Sequence, residues 1–480
     1  MGKRRVIAAL GVLAIVAGAT SGCVRTIDGH GVSVYDNAFQ VAGLPTTGGP
    51  SGPRPGAPAS TRTAVGGDGG EFDATALNAI DDIEAYWRDE YHTEFDGTFA
   101  PPATFYSWNA RAPRVDETQF CGATTNHLVN AAYCRNDNSI GWDRGLLMPM
   151  MKTSFGPMAE VMVLAHEYGH AIQSMAHLVG PNDPMIVREQ QADCFAGAFM
   201  RYVAEDKAAH FVLNTSDGLN SVLAATVSIR DNNPGDVEAV HGSAFERVSG
   251  VQIGFTDGPA GCKKIDLADV NRRRHGLPQS FDGDQQHGQL AVTRRTLTEL
   301  SRALTALMPI PAAPVFDYSG AQLPCADGKG TEPVSYCPTS NTIGTDVPAL
   351  AQRGQVPADQ DEFPARIDGD YNAYVVFVSR YTLAVQHAAG QELTGAKAGL
   401  RAACLSGVIS AKLADPTRTA AAGDIALSAD DLDKAVSGLL ADGLAASDIQ
   451  GNTVPSGFSR VDAFRAGVLG TEQTCESRYA

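Results

Sequence analysis

Residues 157–180 read PMAEVMVLAHEYGHAIQSMAHLVG, and the rest of the chain is best interpreted outward from them. Pro157 suits the first turn of a helix, and the Gly-Pro pair at the far end of the segment predicts where that helix stops. Inside it, His166, Glu167 and His170 match the pattern H-E-x-x-H. Histidines four residues apart lie on one helix face, so both can bind one metal ion, and the glutamate can accept a proton from an attacking water. The alternative is a chance match, but chance matches rarely fall within an apolar helix.

The next segment, residues 183–194, offers a third ligand. Asp183 suits a helix N-cap with Pro184 at the first helical position. Glu189 and Asp193 are four residues apart and therefore on one face. This spacing favours Glu189 as a third metal ligand and Asp193 as the acceptor that orients a ligand histidine. Taken alone, two acids on the outer face of a solvated helix would explain the pattern equally simply, and it is the position after H-E-x-x-H that favours ligation.

Together, HEYGHAIQ and REQQADCFAGAF resemble the bacterial neutral zinc metallopeptidases of the gluzincin type, in an actinobacterial lipoprotein form. The similarity covers roughly residues 110–262. The resemblance implies a zincin-like α+β fold, one zinc ion per chain bound by the two histidines and Glu189, and Glu167 as the catalytic base. It also implies that a short strand at Ser139–Asp143 lies at the edge of a sheet and pairs with the backbone of a peptide or protein substrate.

The second half of the chain repeats features of the first. Three matches occur in the same order along the chain: 133–143 with 336–346, 192–197 with 402–407, and 245–262 with 458–475. We therefore predict a tandem duplication, with a zinc metallopeptidase domain at 71–265, a linker at 266–284 and a degenerate copy at 285–480.

The second copy lacks the chemical groups of the first. When the two helices are aligned on their glutamines, Ser379, Arg380 and Leu383 replace the H-E-x-x-H residues. We expect this copy to bind no metal, to pack against the first copy and to wall its cleft. His241 is lost as well, since Val454 stands in its place, and this favours a role for His241 in stabilising the oxyanion during hydrolysis. A loop histidine with no role remains the alternative.

Residues that both copies share are assigned to structure, among them Tyr168 and Arg247. Nine cysteines occur, eight of them after Cys23, and in an exported chain disulfides are expected. If each copy is self-contained, the favoured pairs are Cys121–Cys134, Cys194–Cys262, Cys325–Cys337 and Cys404–Cys475. The alternative that Cys194 and Cys404 are buried free thiols stays open.

Residues 1–23 have the pattern of a bacterial lipoprotein signal. Basic residues at 3–5 precede an apolar run at 6–16 that is too short to span a bilayer, and Thr-Ser-Gly-Cys ending at Cys23 resembles a lipobox. The segment 24–70, rich in Gly and Pro, is expected to be an unfolded tether. These features predict a protein held by an N-terminal lipid on the extracytoplasmic side of the cell membrane. The alternative is an ordinary secretory signal with an incidental Cys23.

The formal charge of −17 argues against nucleic acid and anionic membrane surfaces as partners. The function that fits the motifs best is zinc-dependent hydrolysis of peptide bonds in cell-envelope or extracellular proteins. Two alternatives remain: a zinc-containing envelope scaffold without turnover, and a peptide-binding lipoprotein whose second copy does the binding.

Overall fold

The computed structural model describes residues 40–180, 182–230, 241–274, 289–356, 368–415, 425, 427 and 429–480. These residues belong to one compact unit. Helices account for 53% of the described residues and the sheets are small, so the fold class is α+β, as predicted. The signal sequence and the expected lipidation site Cys23 lie outside the described residues. In the described part of the chain, no helix is both long enough and apolar enough to cross a bilayer.

The first half, residues 40–274, contains both helices and short strands. Its helices are α1 (Glu71–Glu94), α2 (Leu147–Phe155), α3 (Pro157–Met175), α4 (Met185–Ala204), α5 (Asp217–Ser228), α6 (Ala244–Cys262) and α7 (Leu267–Arg274). Its strands are β1 (Gln40–Val41), β2 (Leu44–Pro45), β3 (Gly52–Pro53), β4 (Thr104–Trp108), β5 (Gln119–Phe120), β6 (Ala123–Thr124), β7 (Ala131–Cys134), β8 (Ser139–Asp143) and β9 (Phe211–Val212). The sheet next to α3 has the order β4-β8-β7, with β8 parallel to β4 and antiparallel to β7.

The prediction that the strand at Ser139–Asp143 lies at the edge of its sheet is wrong. Strand β8 lies in the middle of its sheet and all five of its residues are buried, because it pairs on both sides. The strand at the edge is β7. The backbone N–H of Asp143 donates to the carbonyl of Asn130. Successive residues of a strand direct their backbone N–H and C=O groups to opposite sides of the strand. The backbone groups of Ala131 and Tyr133 therefore point away from β8 and toward α3.

Helices α3 and α4 carry the two motifs and pack closely. Helix α3 begins at Pro157, as predicted, after Gly156 at a φ of 82° that favours glycine, and it ends at Met175, before the predicted end. Helix α4 begins at Met185 with Pro184 at the N-cap position. The predicted N-cap Asp183 instead accepts from the N–H of Gly180.

A pair of glycines brings α4 against α6. A Cβ at Gly197 would lie 2.2 Å from the carbonyl oxygen of Val251, and one at Gly254 would lie 1.7 Å from that of Cys194. Only residues without a Cβ permit this approach. Because α6 carries Arg247, the close packing fixes where that side chain meets α4.

The second half, residues 289–480, has a related arrangement. Its helices are α8 (Arg294–Leu307), α9 (Val347–Arg353), α10 (Tyr371–Ala388), α11 (Gly395–Ala414), α12 (Ala429–Ala441), α13 (Gly457–Val468) and α14 (Glu472–Arg478). Its strands are β10 (Val315–Asp317), β11 (Val334–Cys337) and β12 (Thr342–Thr345). Strand β12 is central, parallel to β10 and antiparallel to β11, which is the pairing of the first-half sheet. Gly407 and Gly467 bring α11 against α13 in the same way, since a Cβ on either would meet a backbone carbonyl.

The predicted disulfide pairing is confirmed at all four positions, and the alternative of free thiols at Cys194 and Cys404 is excluded. The bonds are Cys121–Cys134, Cys194–Cys262, Cys325–Cys337 and Cys404–Cys475. In each half, one bond lies beside the sheet and the other links two helices. Each bond stays within its own half.

The described part of the predicted tether, residues 40–70, is docked on the folded unit, so the expectation of a free tether is wrong there. Strand β3 pairs with β9. The Arg62 guanidinium donates to Asp81 and Glu84 at 2.5 and 2.6 Å. A segment with few large apolar side chains can still be ordered by hydrogen bonds to an existing surface, which its composition does not reveal.

The expected linker also contains structure, because α7 occupies its first part. Val270 of α7 is fully buried, and Arg274 donates to Glu246 of α6 at 2.6 Å. The two halves then meet directly. Gln252 of α6 donates to the carbonyl of Phe458 at 3.0 Å, and the Phe255 and Phe458 rings lie 5.1 Å apart.

The buried carboxyl group of Glu160 in α3 links the stability of the fold to pH. It is 1% exposed, and neither carboxylate oxygen has a hydrogen-bond partner among the described residues. Burial raises its pKa from 4.5 to about 7, against the opposing charge of Lys152. Because the folded pKa lies above the unfolded one, the stability linked to this proton is fully present below about pH 4.5 and is lost as pH rises through 7.

We expect Glu160→Gln to remove this pH dependence. Its free energy of unfolding should gain up to about 3 kcal/mol relative to the unsubstituted protein between pH 4.5 and pH 8. Denaturant unfolding across that range measures the difference, with Glu476→Gln at an exposed position as the control. Parallel pH profiles for Glu160→Gln and the unsubstituted protein would contradict the prediction.

Candidate metal centre and active-site cleft

His166 and His170 of α3 and Glu189 of α4 converge on one point. One ligand atom of each lies within 4.8 Å of the others. Nε2 of His166 is 3.2 Å from one Glu189 oxygen, and Nε2 of His170 is 3.6 Å from the other. Ligand atoms around a tetrahedral zinc ion, with bonds of about 2.0–2.1 Å, are separated by roughly 3.3 Å. The His-His-Glu set therefore has the donors and the spacing that fit zinc.

Asp193 orients the first histidine and is itself held by an arginine. Nδ1 of His166 lies 2.8 Å from Oδ1 of Asp193, and Arg247 donates to both Asp193 oxygens at 2.9 and 2.7 Å. The third guanidinium nitrogen of Arg247 donates to the carbonyl of Ile229 at 2.8 Å. Since Nδ1 is engaged in this way, Nε2 of His166 faces Glu189.

Gln173 orients the second histidine. Its Oε1 lies 2.9 Å from Nδ1 of His170, and its Nε2 donates to the Arg188 carbonyl at 2.6 Å and to Gln191 at 3.0 Å. The sequence analysis did not identify Gln173 as a site residue. It assigned Arg247 to structure because the second half has an arginine at the corresponding position. The spacing of Gln173, three residues after His170 on the same helix face, was the available signal.

Glu167 projects toward the edge strand. The backbone N–H of Tyr133 in β7 donates to its Oε2 at 3.0 Å. Burial raises the pKa of the Glu167 carboxyl above its usual value, while the neighbouring His166 and His170 act in the opposite direction. A carboxylate held in place with a raised pKa has the properties required of a general base.

The charges of the cluster are strongly coupled. Burial opposes protonation of His166, but Asp193 and Glu189 outweigh it and raise its pKa to about 10. Burial likewise opposes ionisation of Glu189, but hydrogen bonds to His166 and His170 hold the pKa of that carboxyl well below its usual range. A metal ion must displace the histidine protons, so binding at this centre should weaken as pH falls.

An open cleft lies beside His166 and Glu167, with an empty volume of about 730 Å³. His241 lines it too, so the structure brings this predicted residue to the same cleft as the H-E-x-x-H motif. Most of the wall is apolar and consists of Val129, Ala131, Leu147, Met151, Met162, Val163, Ala225 and Ile229. The expectation that the second half walls the cleft is wrong, because all of the described residues that line it belong to the first half.

The second half reaches this region through Asp433 of α12. This buried carboxylate accepts from the backbone N–H groups of Ala244 and Phe245 at 3.0 Å each. It also lies 3.7 Å from Nε of Arg230. Asp433 therefore satisfies the N-terminus of α6, the helix that carries Arg247.

A second group of potential ligands consists of Cys325, Asp327 and Cys337. The two cysteines form a disulfide bond with each other. Because neither sulfur is then a thiolate, this group does not provide a metal site.

We expect Asp193→Asn to reduce zinc affinity by about 10- to 100-fold, because the neutral amide holds the His166 tautomer less firmly. Competition with a chromogenic chelator measures the affinity. Asp206→Asn, at a position with a 75% exposed side chain, is the control. An unchanged affinity in Asp193→Asn would exclude the orienting role.

We expect Asp433→Ala to lower the free energy of unfolding by about 2–4 kcal/mol, because it leaves two buried N–H groups without an acceptor. Denaturant unfolding measures this loss. Asp430→Ala on the same helix, where the side chain is 28% exposed, should cost less than about 1 kcal/mol. Equal effects at the two positions would contradict the capping role of Asp433.

Comparison with known proteins finds uncharacterized proteins of Mycobacterium tuberculosis and Mycobacterium bovis. Each is 28% identical to this chain over 177 residues, a match that covers 31% of this chain and 59% of the relative. The chain thus spans less than two thirds of the length of these relatives. No protein-family model matches the chain, and no solved structure matches it with statistical significance.

Proposed function

We propose that this protein is a zinc-dependent peptidase that hydrolyses peptide bonds of cell-envelope or extracellular proteins, held at the membrane by a lipid on Cys23. The observation that carries the proposal is the placement of Glu167. Its carboxylate lies beside the convergent His166, His170 and Glu189 set and at the edge of an open cleft. A metal site that serves only structure has no need of an ordered base next to it.

Bound zinc would polarise the scissile carbonyl and lower the pKa of the attacking water. Glu167 takes the proton from that water and passes it to the leaving amine, which its raised pKa favours. Asp193 and Gln173 hold the two histidines in the tautomers that leave Nε2 free to bind the metal. Arg247 in turn fixes Asp193.

Strand β7 supports the binding of an extended substrate. The backbone groups of Ala131 point away from β8, at the wall of the cleft, so a substrate backbone can add to this edge. The apolar wall then accepts an apolar side chain next to the scissile bond. His241 lines the same cleft, and we assign it the stabilisation of the oxyanion.

We further propose that the second half is a degenerate copy of a zincin-like domain. The matching sheets, glycine contacts and disulfides support a common origin of the two halves. In the second half, Arg380 stands at the position that corresponds to Glu167. Its side chain is 1% exposed and donates to three backbone carbonyls and to the hydroxyl of Ser447. Leu383, in the place of His170, is fully buried. Packed side chains thus occupy the region where a metal centre would lie.

We expect the purified protein to contain about one zinc per chain and to cleave unstructured peptides. Glu167→Gln should keep the metal, because it removes no ligand, and should lower kcat about 100- to 10,000-fold. His166→Ala should lose both metal and activity. Elemental analysis and a quenched-fluorescence peptide assay measure these two properties.

Glu205→Gln, at the far end of α4, is the matched control and should retain both. Full activity in Glu167→Gln would exclude this mechanism. Stoichiometric zinc without any peptide cleavage by the unsubstituted protein would instead favour the zinc-containing scaffold.

A further inference from the structure

A second groove, distinct from the apolar cleft, also borders the candidate metal centre. Its empty volume is about 590 Å³, and it is lined by His170, Tyr133, Gln173, Arg135 and Arg188 among others. One ligand histidine therefore borders this groove, while the other borders the apolar cleft. The two grooves differ in chemistry, because the second one contains two arginines.

Neither arginine is neutralised within the described part of the chain. The structure places no carboxylate of a described residue in an ion pair with Arg135 or Arg188, although the chain has a formal charge of −17. Arg188 donates through Nη2 to the carbonyl of Gly180, and its buried Nε has no hydrogen-bond partner among the residues that the structure describes. A buried donor without an acceptor costs free energy, so the Arg188 guanidinium retains hydrogen-bonding capacity that the described residues do not use.

The second half lacks both cations. Pro338 follows the Cys337 that corresponds to Cys134, so it stands in the place of Arg135. Gln386 donates to the carbonyl of Ala398, just as Gln173 donates to that of Arg188, so Ala398 corresponds to Arg188. The two arginines are thus absent together with the proposed metal ligands, which links them to the site rather than to the scaffold.

Strand β7 connects the two grooves. Ala131 lines the apolar cleft and Tyr133 lines the arginine groove, and the Tyr133 N–H between them donates to Glu167. Two residues along a strand span about 6.5 Å, close to the same spacing in a peptide bound alongside. An extended peptide on this edge would place residues from the two sides of its scissile bond in different grooves.

We propose that the groove at Arg135 and Arg188 is a substrate subsite that binds a carboxylate, either an acidic side chain or the C-terminus of a peptide. This inference rests on the proposed peptidase function. Arginine binds carboxylates through paired, charge-assisted hydrogen bonds, so the groove selects acidic groups and rejects basic ones. The substrate then carries an apolar residue on one side of the scissile bond and a carboxylate on the other.

The test uses a series of peptides that share an apolar residue and carry Glu, Gln or Lys at successive positions on either side of it, each with a free or an amidated C-terminus. In the full-length zinc-loaded protein, kcat/KM should be about 10- to 100-fold higher with a carboxylate at one position than with the matched amide. The double variant Arg135→Ala/Arg188→Ala should lose this preference through KM, with kcat nearly unchanged. Arg295→Ala, an 85% exposed arginine of α8, is the control.

Binding provides a readout that does not depend on turnover. Fluorescence anisotropy of the same peptides with zinc-loaded Glu167→Gln should show the same preference, and adding the two arginine substitutions should abolish it. Arg135→Ala alone, at an exposed position, guards against misfolding of the double variant, and thermal unfolding checks both. Loss of binding on amidation identifies the C-terminus as the carboxylate, and loss on Glu→Gln identifies a side chain, and both outcomes support the subsite.

Two results separate this inference from the proposed function. Peptide cleavage without a carboxylate preference, or with one that survives in the double variant, would overturn the subsite and leave the peptidase intact. No cleavage of any peptide would overturn the peptidase, and the anisotropy measurement would then decide whether the arginines bind carboxylates.

Discussion

The structure of the candidate site depends on one buried carboxylate, that of Asp193. It accepts hydrogen bonds from His166 of α3 and from Arg247 of α6, so a single side chain of α4 joins three helices. Burial alone would raise its pKa, but Arg247 and His166 hold that pKa below its ordinary value, so the group stays charged. A charge in this position is stable only while both partners remain in place. The close packing of α4 against α6, at Gly197 and Gly254, fixes that arrangement.

The two halves have related backbone arrangements, but the side chains at corresponding positions make different contacts. In the first half, buried polar groups satisfy one another around an open cleft. In the second half, Ala403 stands where the first has Asp193, and the corresponding arginine, Arg460, donates to the backbone carbonyls of Leu439, Val454 and Leu440. With no carboxylate at the position of Asp193, Arg460 donates to backbone carbonyls instead. This explains why a residue type shared by both halves can serve a site in one and only structure in the other.

Sequence reasoning was strongest where a feature depends on local spacing. The start of α3 at Pro157, the α+β class and all four disulfide pairs follow from helix signals and from the internal matches, and the structure confirms them. Sequence reasoning failed where contacts with distant parts of the chain determine the local structure. Residues 40–70 have the composition of a tether but are ordered by hydrogen bonds to elements far along the chain. The family resemblance implied that strand β8 lies at a sheet edge, but it lies between two partners.

The sequence by itself determined which groups are present and which can share a helix face, because a period of 3.6 residues places positions four apart side by side. This was enough to group His166 with His170 and Glu189 with Asp193. Only the tertiary structure decided how those two faces meet and that Gln173 holds His170. It alone also placed Arg135 and Arg188 at one groove. These relations depend on helix packing distances and on which backbone edge is left unpaired, and no local pattern in the chain encodes either.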